Sequence, residues 1–347
     1  MPSLLESRRP WLWFTLGPAT IDLVDEALLA GANGVRYTLS YATPALHIER
    51  ALTVAGRASA LGVDVYAIAD LPGEKFRLAS FPGEKIEVHV RDRIRLGTSA
   101  ATDVEAPVPV LPLQSEDLLT SANYGSRIVV GDGGVELQVE DIDPQCLTCE
   151  VVRGGTIEHN RGLTLIGGRT EPRSLTPTDT AMLEEVAAAK CFDAIALSFV
   201  SDPADLRRAR GILSGFDHPV PLIAKIETRR GVERLAEICQ EADVVMAARG
   251  DLALAIDPSM LYAAVMEIAH AASAADKPWL LATQLLEGLD YLGFPTRAEL
   301  TDVVGWMHRG AAGAMLSRET VFGGRPIESI QFLRALLAAP LNWSTRS

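Results

Sequence analysis

Apolar runs of strand length recur along the chain, separated by stretches whose apolar residues return at helical spacing. The runs fall at residues 11–16, 34–39, 64–70, 193–199, 221–227, 243–248, 278–283 and 312–317. Amphipathic segments lie at 21–30, 44–61, 203–214, 229–239, 259–275 and 299–309, with a last one at 326–338, and several open on an Asp, Ser or Thr able to cap a helix. Eight such runs with helical segments between them predict an α/β fold, a (β/α)8 TIM barrel rather than a doubly wound sheet. One connection breaks the rhythm. Between the third and fourth runs the chain carries short alternating segments, Lys85 to Arg91, Arg127 to Val130, Val135 to Val139 and Leu147 to Val152, punctuated by Asp132-Gly133-Gly134 and Gly154-Gly155. A structureless loop of that length would be exceptional. The expectation is a small β-barrel-like lid domain over residues 72–164, inserted after strand 3 of a barrel formed by 1–71 and 165–347.

A chain of 347 residues that is 48% hydrophobic can bury a large core. Its formal charge of −13 excludes sequence-independent binding to nucleic acid, which needs a basic face. A small anionic substrate is compatible with that charge, because a few local cations and a metal can offset the global field. Arg8 and Arg9 are followed by no apolar run of signal-peptide or membrane-spanning length, so neither a membrane nor a nucleic-acid partner is expected and the cytoplasm is the expected location. Cys146 and Cys149 form a C-x-x-C without a second pair of zinc-ligand spacing, and they read as inert thiols in a strand. No P-loop, G-x-S-x-G or H-E-x-x-H occurs, and His47, His270 and His308 read as surface or packing residues of helices.

TIM-barrel active sites are built where the strands end. Arg36 and Ser40 fall at the end of strand two, Asp70 at that of strand three, Lys225 and Glu227 at that of strand five, Asp251 after strand six, Thr283 at the end of strand seven, and Ser317 and Glu319 after strand eight. Lys225 and Glu227, two apart on a strand, leave on the same face, either into the barrel mouth or toward the helices. The mouth is favoured, because a dry helix interface penalises both charges. With Asp251 arriving from the next strand, two carboxylates converge beside an ammonium, an oxygen-ligand set suited to Mg2+ or Mn2+. A salt-bridge cluster that only ties the strand ends together is the alternative.

The same segments carry a specific likeness. Thr15-Leu16-Gly17-Pro18-Ala19-Thr20, Gly34-Val35-Arg36-Tyr37-Thr38-Leu39-Ser40, Asp70-Leu71-Pro72-Gly73-Glu74-Lys75-Phe76-Arg77, Ala224-Lys225-Ile226-Glu227 with Gly231-Val232, Arg249-Gly250-Asp251-Leu252, Ala282-Thr283-Gln284 with Leu286-Glu287, Pro295-Thr296-Arg297-Ala298-Glu299, and Met315-Leu316-Ser317 with Glu319-Thr320 follow one another in order. Together they resemble the pyruvate kinase family along nearly the whole chain. The resemblance implies phosphoryl transfer between phosphoenolpyruvate and ADP, giving pyruvate and ATP, with Glu227 and Asp251 holding Mg2+ or Mn2+. It further implies that Lys225 stabilises the phosphoryl in flight and that Arg36 contacts the phosphate. The backbone N–H groups of Gly250 and Asp251, the Thr283 hydroxyl and Ser317 would then serve the substrate, with Thr283 also on the route of enolate protonation.

Ser40 and Asp70 resemble two ligands of the family's monovalent cation, whereas Thr38 and Leu71 replace the other two. Lys75 stands where some members of the family carry Glu, and an ammonium there supplies the same unit charge as potassium, so K+ is not expected to be required. Departures concentrate on the nucleotide side: Thr38, Tyr41, Thr178 and Phe322 replace polar or cationic residues, while Arg77, a phosphate contact by resemblance, remains. An alternative reading is therefore a divergent phosphoenolpyruvate- or pyruvate-binding enzyme, such as an aldolase, decarboxylase or other phosphotransferase, with an altered nucleotide site. The chain stops at Ser347, after the eighth barrel helix, so the family's C-terminal regulatory domain is not expected and a homodimer is the assembly anticipated.

Overall fold

The computed structural model describes residues 4–6, 9–98, 103, 105, 107–131, 133–169 and 172–339. The turn residue Asp132 lies outside them. Those residues form two compact units, one drawn from 4–73, 173–252 and 259–339, the other from 74–172 with 253–258.

In the first unit β1 (Trp11–Thr15), β2 (Gly34–Thr38) and β3 (Tyr66–Leu71) open a closed barrel. In the second, β4 (Phe76–Arg77), β5 (Lys85–Val88), β6 (Arg93–Gly97), β7 (Val110–Pro112), β8 (Arg127–Val130), β9 (Val135–Ile142), β10 (Cys146–Arg153), β11 (Gly155–Glu158) and β12 (Gly162–Ile166) follow. The chain then returns to the barrel with β13 (Ala194–Leu197), β14 (Leu222–Ile226), β15 (Val244–Ala248), β16 (Trp279–Ala282) and β17 (Gly313–Leu316). The barrel order β1-β17-β16-β15-β14-β13-β3-β2 is parallel throughout. Each strand lies within two residues of its predicted run, because a strand buried on both faces reads as a continuous apolar segment.

The barrel closes where β17 meets β1, and a threonine clasp secures the seam. Thr15 Oγ1 donates to Leu316 O (3.0 Å), and Thr320 Oγ1 donates to Thr15 O (3.0 Å) while accepting from Thr15 N (3.2 Å). Gly313 permits the close approach there, since a Cβ on it would lie 2.1 Å from Trp11 O. Three of the barrel helices start on capping boxes, which Thr176, Asp202 and Thr296 each build with the residue three on. The predicted helix 229–239 is two helices, Arg229–Glu233 and Leu235–Glu241, broken at Arg234 (φ −114°, ψ 20°). Arg234 and Arg230 both pair with Asp202, which holds the break in place.

The second unit is a seven-stranded sheet of order β4-β12-β8-β9-β10-β6-β7 with a separate β5-β11 ribbon. The sheet curls until its edge strands meet, through a Leu78–Leu113 bridge and the hydrogen bond from Ala79 N to Pro112 O (2.8 Å), around its own core of Leu78, Ile94, Leu96, Leu137 and Leu147. Cys146 and Cys149 sit unbridged on β10, and burial pushes the Cys149 thiol up to about 12. Among the described residues no helix is long and apolar enough to cross a membrane.

Candidate active site

The interior face of the barrel is a packed layer that includes Trp13, Ile68, Ala196, Ile223, Met246 and Met315. Side chains alternate along a strand, so the next inward positions toward the strand ends belong to the same face. Two residues beyond Ile68, Ala196 and Ile223 stand Asp70, Ser198 and Lys225, and Glu227 follows Lys225. The face that is hydrophobic at mid-barrel therefore becomes charged at the mouth, and the choice left open for Lys225 and Glu227 falls on the mouth rather than the helix layer.

Register explains who meets whom. Leu197 pairs with both Leu71 and Ala224, which sets Ser198 beside Lys225 and puts Asp70 one strand further on. Lys225 Nζ lies 3.2 Å from Asp70 Oδ1, 2.6 Å from Ser198 Oγ and 3.3 Å from Glu227 Oε1, a partner for each ammonium proton. Asp70 Oδ2 also accepts from Arg36 Nε at 2.5 Å, and Arg36 Nη1 reaches Thr15 Oγ1 (3.2 Å) and Ser317 Oγ (3.5 Å). Glu227 Oε2 accepts from Phe199 N (2.8 Å), whose backbone is held in the left-handed region at φ +53°. Asp251, in the first turn of the helix Arg249–Ala255, is close enough for its charge to act on Lys225 and Glu227.

Asp70, Lys225 and Glu227 are buried, and their titration follows from that. Burial works to raise the Asp70 carboxyl, but Arg36 and Lys225 outweigh it and hold the group below the usual carboxylate range. Burial disfavours the Lys225 ammonium, yet Asp70 and Glu227 more than offset it and keep it above the ordinary lysine value. Glu227 goes the other way: burial raises it, Lys225 pulls it down, Asp251 adds to the rise, and the net shift is upward. The cluster thus contains one carboxylate satisfied by two cations and another that a further cation would relieve.

On the opposite rim Thr283 is a β-branched residue at φ +70°, followed by Gln284 at φ +51°. Its hydroxyl accepts from Gly250 N (2.8 Å) and donates to Ala282 O (2.6 Å). Arg249 braces this turn, donating from Nη2 to Thr283 O (2.9 Å) while its Nη1 pairs with Asp302 at 2.5 Å. Glu319 proves to be a fastener: fully buried, it accepts from Leu285 N, Leu286 N and Ser317 N at 2.9–3.0 Å and ties the ends of β16 and β17 together.

The structure thus gathers Arg36, Asp70, Lys225, Glu227, Asp251 and Ser317 into one network, with Gly250 and Thr283 joined to each other. Ser40 and Tyr41 lie exposed in the turn after β2, and the Thr38 hydroxyl is buried without a hydrogen-bond partner. Lys75 and Arg77 belong to the second unit, where Lys75 packs on Gly162 and Arg77 Nη1 donates to Asn160 O (3.4 Å). Sequence reasoning missed Ser198, Phe199, Thr15 and the bracing role of Arg249. Ser198 was within reach, since it continues the inward face of β13 by one position, whereas a backbone N–H such as that of Phe199 leaves no trace in residue type.

The chain as a whole is similar to proteins of one family. The family model described as pyruvate kinase, barrel domain, matches residues 7–330. Curated relatives named pyruvate kinase include that of Thermococcus litoralis, 30% identical over 95% of this chain and 69% of the relative. That of Haemophilus influenzae is 32% identical over 93% and 68%, and that of Mycobacterium intracellulare 31% over 98% and 71%. For others, such as pyruvate kinase 2 of Synechocystis, the chain spans 56% of the relative's length. With its barrel strands, its charged mouth and this match running through nearly all of its length, the chain belongs to the pyruvate kinase family.

Proposed function

We propose that this protein transfers a phosphoryl group between phosphoenolpyruvate and ADP, with Mg2+ or Mn2+ held by Glu227 and Asp251. The observation that carries the reading is the buried Lys225–Glu227–Asp70 cluster at the barrel mouth, with Asp251 beside it. Family membership and the names of the relatives support the reaction.

The donor set fits a hard divalent cation. Two carboxylates come from neighbouring strand ends, and Glu227 is raised by burial and by the charge of Asp251, which a cation would reverse. Among the described residues no group of three or more His, Cys, Asp or Glu has metal-binding geometry, so substrate oxygens and water would complete the shell. When bound, the ion supplies charge neutralisation for the phosphate and the enol oxygen.

The chain's own groups supply the rest. As the P–O bond to the enol oxygen breaks, its electron pair stays on that oxygen while a terminal phosphate oxygen of ADP bonds to phosphorus. The Lys225 ammonium, fixed on three sides, offsets charge on the group in flight, and fixed charges of this kind cost no reorganisation at the moment of reaction. Arg36, oriented by Asp70, presents its guanidinium to the phosphate. Gly250 and Asp251 N–H and the Thr283 hydroxyl would take the carboxylate, which requires the Gly250 N–H to exchange its present Thr283 acceptor for substrate. The reaction needs no potassium in this reading, because the Lys75 ammonium supplies the same unit charge. The test is incubation of phosphoenolpyruvate and Mg2+ in potassium-free deuterated buffer, with and without ADP, followed by phosphorus and C3-proton NMR. ADP-dependent loss of phosphoenolpyruvate with formation of ATP is expected. Proton exchange at C3 of pyruvate without any ADP phosphorylation would move the assignment to another reaction at the same cluster.

A further inference from the structure

Ser198 and Phe199 follow β13 directly, and each grips a different charged residue at the end of β14, Lys225 within it and Glu227 just after it. The Ser198 hydroxyl donates its proton to Leu71 O (2.7 Å), which leaves its oxygen facing Lys225 Nζ at 2.6 Å, the shortest contact of that ammonium. The Phe199 N–H is aimed at Glu227 Oε2 (2.8 Å) by a left-handed backbone that a residue with a Cβ adopts at a cost. Gly73 packs against the pair: a Cβ there would lie 2.9 Å from the Phe199 ring and 3.3 Å from Ser198 Cβ. Ser198 is 3% exposed and Phe199 7%, so neither grip is shared with bulk water.

We infer that the Ser198–Phe199 step is a positioning element of the active site, in which Ser198 holds the Lys225 ammonium in line and Phe199 holds the Glu227 carboxylate. Without Ser198 the ammonium keeps its two carboxylates, Asp70 at 3.2 Å and Glu227 at 3.3 Å, and their pull alone sets its position. Among the described residues the hydroxyl is the single neutral partner of Lys225 Nζ, and it is anchored to the backbone of β3 rather than to another titrating group. Ser198 therefore sets where the positive charge sits.

This inference rests on the proposed phosphoryl transfer, and the experiment separates the two. A double-mutant cycle of Ser198→Ala and Lys225→Met is read in kcat, in KM for phosphoenolpyruvate and in thermal stability. Ser198→Ala is expected to lower kcat about 10- to 100-fold, the effect of one hydrogen bond to a charged group, with a much smaller change in KM. On the Lys225→Met background the same change should alter kcat by no more than about twofold, since its target is gone. A purely structural serine would lower stability equally in both backgrounds and leave kcat of the folded fraction unchanged, and equal kcat losses in both backgrounds would likewise overturn the inference. If the wild-type protein fails to turn over phosphoenolpyruvate with ADP, the functional proposal falls. The stability cycle then still decides whether Ser198 and Lys225 are coupled, and additive stability losses refute the positioning role.

Discussion

Replacing Lys225 by Met probes the site directly, because Met keeps most of the aliphatic stem and removes only the ammonium. The wild-type charge has two carboxylates within 3.3 Å and the Ser198 hydroxyl at 2.6 Å. Stripping a buried partner commonly costs about 3–5 kcal/mol through the uncompensated charge left behind. Here the loss should be smaller, because Asp70 retains Arg36 at 2.5 Å and Glu227, already raised by burial and by Asp251, takes up a proton. The rate should suffer more than the fold. An ammonium aimed at charge that develops only in the transition state is worth about 10²- to 10³-fold in kcat, or about 2.7–4 kcal/mol. Initial rates at saturating phosphoenolpyruvate, ADP and Mg2+, run beside a thermal melt, give both quantities. A variant that melts near wild type but keeps kcat within about threefold would refute the reasoning that Lys225 acts on the reacting phosphoryl.

The remaining expectations concern metal, pH and closure of the barrel. Glu227→Gln should raise the melting temperature of metal-free protein increasingly as pH rises above 4.5, because a carboxyl whose folded value is raised contributes its stability below the unfolded value and loses it as pH climbs through the folded one. The same variant should lose the stabilisation that wild type gains from added Mn2+, and melts across pH with and without Mn2+ check both signs. Gly313→Ala forces a methyl to within 2.1 Å of Trp11 O at the β1–β17 seam and should cost about 3 kcal/mol, read as a lower urea midpoint.

The parallel barrel was legible because burial on both faces makes each strand an unbroken apolar run, and caps such as Asp202 and Thr296 mark where helices start, whereas the helix Pro177–Ala189 behind Thr176 was not among the predicted segments. The inserted sheet was legible only as a set of strands: four of its segments stood out by alternation, while β4, β6, β7, β11 and β12, short or edge-paired, carried too little pattern. At the site, residue type and spacing singled out Lys225, Glu227, Asp251, Arg36 and Asp70, since charged residues at the end of an apolar strand need a reason to be there. Sequence alone therefore determined which side chains bring charge to the barrel mouth and, through period-two alternation, that Lys225 and Glu227 share a face. The tertiary structure alone decided that the face is the interior one, that Asp70 serves Arg36 and Lys225 together, and that Glu319 is a fastener. It also decided that Ser198 and the strained Phe199 backbone hold the charges in place. The physical reason is register: hydrogen-bonded pairing between strands far apart in the chain sets which residues become neighbours, and a backbone N–H or a left-handed turn has no signature in composition or periodicity.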